Sequence, residues 1–125
     1  MQSLSVVMVQ SHLQWEQADS NLAHFDSLLS GVAPGSDLIV LPEMFTTGFS
    51  MHPAPLAQSM EGPAMQWMLE KARDKQAVVT GSIIVKEEGR YFNRLIWMPP
   101  DGNYLHYDKY HLFSYSGENA SYTRG

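Results

Sequence analysis

The run Asp37-Leu38-Ile39-Val40-Leu41-Pro42-Glu43 constrains the fold of this chain more than any other stretch. Four apolar residues in a row, two of them β-branched, read as a strand buried on both faces. That is the pattern of a central parallel strand. Pro42 ends the strand, because it has no N–H to give to the ladder. The next residue is a carboxylate. An ionised Glu at the end of a buried strand is costly unless a cation or hydrogen bonds answer it. The carboxyl ends of parallel strands are also where α/β sheets hold their ligands. Glu43 therefore either enters a solvated loop or belongs to a site.

The flanking segments extend this strand into a fold. Leu4 to Val9 reads as a first strand, and a helix follows over residues 16–32. Ala18, Leu22, Phe25 and Leu29 form its apolar stripe at helical period. Pro34-Gly35-Ser36 breaks the chain before the Glu43 strand, so strand, helix and strand make a βαβ unit in a sheet that is at least partly parallel. Residues 44–60 have no period, and an apolar loop of that length is expected to pack over something. Met44, Met51 and Met60 suit irregular gaps beneath it.

Gly62-Pro63 opens a second helix, over residues 62–76, with Pro in the first turn where its missing donor costs nothing. Met65, Met68, Leu69 and Ala72 line one face, and Glu70, Lys71, Arg73, Asp74 and Lys75 read as a solvated surface. Ala77 to Val85, carrying Gly81, is a strand. After the Glu87-Glu88-Gly89 turn, Tyr91 to Met98 returns antiparallel to it. Pro99 to Asn103 is a turn, and Tyr104 to Asp108 a short strand ending at Lys109. Residues 110–125 are polar and aromatic without periodicity. Trp15, Trp67 and Trp97 read as packing or subunit-interface residues.

Composition excludes several function classes. Eight basic side chains against thirteen acidic ones, with no basic cluster, argue against a nucleic-acid or anionic-membrane surface. No window reaches membrane-spanning length and no basic segment precedes Leu4, so a cytoplasmic protein is expected. The Asn119-Ala120-Ser121 sequon is then a chance match. His12, His24, His52, His106 and His111 lack metal-ligand spacing, so neither a metal nor another cofactor is expected. There is no cysteine, which removes disulfides and thiolate ligands.

Two strands thus end in opposite charges, Glu43 and Lys109. Adjacent, each stabilises the other's ionised form. Such a pair suits acyl transfer: the carboxylate takes a proton from a nucleophile, and the ammonium holds the charge of a tetrahedral intermediate. On the residues alone, Lys109 can equally stand at an edge-strand end and point into water.

Leu41-Pro42-Glu43-Met44-Phe45, with Thr47-Gly48-Phe49, resembles the first signature of the nitrilase superfamily of carbon–nitrogen hydrolases. Tyr107-Asp108-Lys109-Tyr110-His111-Leu112-Phe113 resembles its second, the lysine segment. The likeness extends to Asn93 in Tyr91-Phe92-Asn93 and covers essentially the whole chain. Within the superfamily, Met44 to Met51 is most similar to the omega-amidases, which hydrolyse the terminal amide of 2-oxo dicarboxylic acid monoamides.

The resemblance implies an α/β fold: the N-terminal half of a four-layer α-β-β-α sandwich, a mixed sheet with helices on one face. Residues 1–125 would form a partial carbon–nitrogen hydrolase domain. Glu43 matches the general base, Lys109 the lysine that stabilises the tetrahedral intermediate, and Glu118 a second glutamate near that lysine. Phe49 and His111 are candidate substrate contacts. A small-molecule amide is the implied substrate, and a homo-oligomer the implied state of the full-length protein.

One departure stands out. Family members attack with a cysteine on a later strand, and this chain has none. Ser114, Ser116 and Ser121 lie beside the lysine, outside any Gly-x-Ser-x-Gly elbow. The sequence thus reads as the part of an amidase that precedes its nucleophile. A nitrilase or carbamoylase of the same superfamily, or a non-catalytic binding fragment, are the alternatives.

Overall fold

Two β-α-β crossovers step the same way across one sheet, and this decides where the helices lie. The computed structural model describes residues 2–125. The strands are β1 (Val6–Met8), β2 (Leu38–Val40), β3 (Val78–Glu87), β4 (Arg90–Met98) and β5 (Leu105–Asp108), in spatial order β1-β2-β3-β4-β5. The first three are parallel, while β4 and β5 add antiparallel. Helix α1 (Ala18–Ser30) joins β1 to β2, and α2 (Pro63–Lys75) joins β2 to β3. Right-handed crossovers that advance in one direction put both helices on the same face. Accordingly Phe25 and Leu29 of α1 share one core with Met65, Trp67, Met68 and Ala72 of α2.

Register and alternation put Val7, Ile39, Val79, Ile96 and Met98 on the helix side. Ile39, Val79 and Ile96 are fully buried there. The opposite face is open over most of its width: Val6, Met8, Leu95, Trp97, Leu105 and Tyr107 are all exposed. This corrects one expectation. β2 is covered on one face only, and Leu38 and Val40, pointing the other way, are half-buried.

The charged residues of α2 are not uniformly solvated either. The Lys71 ammonium pairs with Asp26 at 2.6 Å and lies over the Trp67 ring. The Lys75 ammonium donates to the Val32 carbonyl at 2.7 Å. Both stems run along apolar surface to reach α1 and the turn behind it, as long cationic side chains can. Trp67 is a core residue whose indole N–H donates to Asp26 at 2.9 Å.

Glu16 lies outside α1. Its φ of 59° is left-handed, its N–H donates to the Thr47 carbonyl at 2.6 Å, and its carboxylate accepts from Ser50 Oγ at 2.7 Å. The segment before α1 is thereby strapped to the loop after Glu43. Asn21 of α1, buried among apolar neighbours, adds a bond from its amide to the Thr46 carbonyl at 2.7 Å.

The segment after β5 folds back over one end of the open face as a 3-10 turn (Ser114–Ser116) and a one-turn helix, α3 (Glu118–Ser121). Tyr122 packs there with Met44 and Ile84 in a second, smaller core, joined by Met51 and Leu112. Met60 fills the edge of the main core. Among the described residues, no helix is long and apolar enough to cross a membrane.

Candidate active site

Glu43 leaves the sheet through a turn that β3 holds in place. Met44 has a φ of 48°, unfavourable for a residue with a side chain, so something must fix it. Its N–H donates to Ser82 Oγ at 2.8 Å, and the Phe45 N–H donates to the Ser82 carbonyl at 3.2 Å. Gly81 makes this approach possible. A Cβ there would stand 2.9 Å from Leu41 Cβ and 3.0 Å from Phe45 Cδ1.

Lys109 is fixed from the other side of the cleft. Its N–H donates to the Asn93 carbonyl at 2.9 Å, and its carbonyl accepts from the Gly125 N–H at 3.2 Å. Its ammonium then lies 3.0 Å from Glu43 Oε2 and 3.0 Å from Glu118 Oε1. Glu118 is fully buried at the start of α3, and its Oε1 also accepts the Phe113 N–H at 2.6 Å. Asn93 joins the two acids, its amide donating to Glu43 Oε2 at 2.8 Å and to Glu118 Oε2 at 3.4 Å. The four side chains close a ring. Partial burial pulls the Lys109 pKa down, but the hydrogen bonds and charges of Glu43 and Glu118 outweigh it and leave the ammonium above the ordinary lysine value.

Glu43, Asn93 and Lys109 line a cleft of about 240 Å³ with Ser82, Leu95 and Tyr107, and Glu118 lies buried behind it. Its lining is largely apolar with a few convergent polar groups, the make-up of a small-molecule site. Phe49 projects from the strapped loop, its ring centre 5.5 Å from the Lys109 ammonium. His111 is elsewhere: exposed, edge-on to Tyr110, and outside the lining of this cleft. Among the described residues, no group of three or more His, Asp or Glu is placed to hold a metal ion.

Sequence reasoning singled out Glu43, Lys109 and Glu118, and the fold brings all three together. It assigned nothing to Ser82, and nothing beyond a family likeness to Asn93. An Asn inside an apolar strand was the available signal. Arg94 was missed altogether. It is 1% exposed, with its guanidinium forked onto Asp108 at 2.6 and 3.0 Å and reaching Glu87 at 2.9 Å. The Asp108 hydrogen bond, assisted by Glu87, outweighs burial and raises the Arg94 pKa, while Arg94 holds the Glu87 carboxyl below its ordinary value.

Comparison with known proteins gives the family. The profile of the carbon-nitrogen hydrolases matches residues 5–124, nearly the whole chain. The chain belongs to the carbon–nitrogen hydrolase family. It is similar to omega-amidase YafV of Escherichia coli K12, at 38% identity over 100% of this chain and 48% of that protein. It is also similar to omega-amidase YafV of Yersinia enterocolitica, at 39% identity over the same shares.

Among solved structures, XC1258 from Xanthomonas campestris is described as a CN-hydrolase superfamily protein with an arsenic adduct in its active site. It superposes with a TM-score of 0.95 at 38% identity, over 100% of this chain and 47% of that one. The chain thus spans about half the length of the carbon–nitrogen hydrolases it matches. Its mixed sheet with both helices on one face is the N-terminal half of their α-β-β-α sandwich.

Proposed function

We propose that residues 1–125 carry the acid–base half of an amidase that releases ammonia from small amides, with 2-oxo dicarboxylic acid monoamides as the substrate class. The observation that carries this reading is the Lys109 ammonium held 3.0 Å from both Glu43 and Glu118 within one apolar cleft. The similarity to omega-amidases over the full length of this chain supports that choice of substrate class.

In this mechanism Glu43 takes the proton of a cysteine thiol supplied from outside these residues, and the thiolate attacks the amide carbon. The carbonyl oxygen gains the negative charge, and Lys109 stabilises it. Collapse of the tetrahedral intermediate breaks the C–N bond, with the proton on Glu43 passing to the departing ammonia. The resulting thioester is hydrolysed by a water that Glu43 deprotonates. Glu118, buried behind Lys109, keeps the ammonium charged and aimed. Phe49, its ring centre 5.5 Å from the Lys109 ammonium, is a candidate substrate contact; His111, away from the cleft lining, takes no role in this mechanism. The enzyme is a cytoplasmic homo-oligomer in this reading, for which the exposed Trp15, away from the open face of the sheet, offers contact surface.

A second reading follows from the absence of cysteine. The chain alone is then a binding fragment with no chemistry of its own. One assay separates the possibilities: ammonia release from 2-oxo acid monoamides by residues 1–125, and by the same residues joined to the C-terminal half of the E. coli omega-amidase. Turnover is expected only from the joined protein. Equal turnover by the short chain would mean the nucleophile is already present. A cooperatively folded joined protein with no turnover would overturn the amidase reading.

A further inference from the structure

Glu43 has two carboxylate oxygens in unequal surroundings. Oε2 accepts from the Lys109 ammonium at 3.0 Å and from the Asn93 amide at 2.8 Å. Oε1 has no hydrogen-bond partner among the described residues. A carboxylate oxygen offers two lone pairs, so two donors occupy Oε2 and none occupies Oε1. We propose that Asn93 is a positioning residue that, with Lys109, holds Glu43 by Oε2 and so makes Oε1 the oxygen that takes the nucleophile's proton. This rests on the reading of Glu43 as the base. In the step itself the S–H bond breaks, its electron pair stays on sulfur, and the proton moves to Oε1.

Three observations support the assignment. The Glu43 side chain is 47% exposed, so a single bond to a flexible lysine stem leaves it free to turn into water. Asn93 is 2% exposed and lies within β4, opposite Ile84 of β3, with its carbonyl tied to the Lys109 N–H. It is therefore the rigid member of the pair. Asn93 is also neutral. A second cation at this position would hold Glu43 as well but would make it a weaker base, whereas an amide orients without that cost. Through its longer contact to Glu118 the same amide stands between two like charges that share one ammonium.

The test opens the ring at Asn93 without removing a charge. Asn93→Leu keeps the volume and loses the amide; Asn93→Ser stays polar but is too short to reach Glu43. The first readout needs no turnover: the ¹⁵N titration of the Lys109 ammonium in residues 1–125. With Glu43 free to swing away, the midpoint should fall by about half a unit or more in either variant that folds. The second is kinetics in the joined protein, where kcat should drop by about tenfold or more while KM stays within about threefold. A folded variant whose Lys109 titration is unmoved, or whose kcat stays within about twofold of the parent, overturns the proposal. A shifted titration in a joined protein that never turns over would sink the amidase reading and leave the positioning role standing.

Discussion

Asn93 and Arg94 are consecutive in β4 and serve opposite faces of the sheet. The Asn93 amide reaches Glu43 in the cleft, while the Arg94 guanidinium forks onto Asp108 on the other side. Asp108 is the residue before Lys109, so the fork fixes the end of β5 from behind while Asn93 fixes the ring in front. Arg94→Met should destabilise the chain by about 3 kcal/mol, because Asp108 is left largely buried without its counter-charge. Adding Asp108→Asn should restore part of the loss. Urea unfolding of the two variants decides it; a single variant as stable as the parent would show that the fork is not needed to hold β5.

Stability should fall at alkaline pH through two groups. Folding raises the pKa of Lys109, through Glu43 and Glu118. It also raises that of Tyr122, mainly by burial and then by the charges of Glu118 and Glu16. A group with a raised folded pKa gives stability that is complete below its unfolded pKa and is lost as pH climbs through the folded one. Both unfolded values lie near pH 10, so Tm should hold to about pH 9 and then decline. Tyr122→Phe should lower Tm at neutral pH, since the hydroxyl bond to the Ser50 carbonyl is gone, and should flatten the alkaline decline. Melting curves from about pH 7 to 12 would test this, and parallel declines in the two proteins would count against Tyr122.

Glu43 was legible for a physical reason, since it ends an apolar run where a charge is conspicuous, whereas Lys109 follows the mixed stretch Tyr104 to Asp108 and was singled out by its place at a strand end together with the family likeness. The helices were legible from Phe25 and Leu29, and from Met65, Met68 and Ala72, which keep helical spacing into the core. Glu118 has no such marker. Its segment has no period, and its burial depends on a chain reversal stitched by Tyr122 to Ser50 and by Thr123 to Tyr91. Only the family likeness pointed to it. Arg94 was invisible because its partners, Glu87 and Asp108, come from two different strands, and registers are not written in either strand alone. Lys71 and Lys75 looked solvated for a similar reason, since the surface their stems cover belongs to another element.

Gly81 should tolerate no side chain. A methyl there would meet Leu41 Cβ at 2.9 Å and the Phe45 ring at 3.0 Å; Leu41 is held by its N–H on the Thr80 carbonyl at 2.8 Å, and Phe45 by its N–H on the Ser82 carbonyl at 3.2 Å. Gly81→Ala should therefore cost about 1–3 kcal/mol, as overpacked sites do. The strain should be relieved in part by Phe45→Leu. If Gly81→Ala melts with the parent, the turn is softer than its hydrogen bonds suggest.

The open face of the sheet gives the last prediction. Leu95, Trp97, Leu105 and Tyr107 on β4 and β5, with Val6 and Met8 on the far edge strand, present exposed apolar side chains opposite the helices. In the α-β-β-α sandwich that is the side on which a second sheet packs. Exposed apolar area of this kind is rarely left in water, and β1 and β5 stand at the sheet edges with unpaired backbone groups beside it. Residues 1–125 on their own should therefore self-associate, with apparent mass rising with concentration in sedimentation velocity. Leu105→Lys and Trp97→Glu lie opposite each other on β5 and β4 and point into that face, so together they should restore the monomer while leaving the helix-side core intact. Equivalent charges introduced at Leu28, exposed on α1, should leave association unchanged. A parent chain that stays monomeric at every concentration tested would mean that the exposed face is not sticky enough to drive assembly, and that the cleft fragment is stable without a second layer.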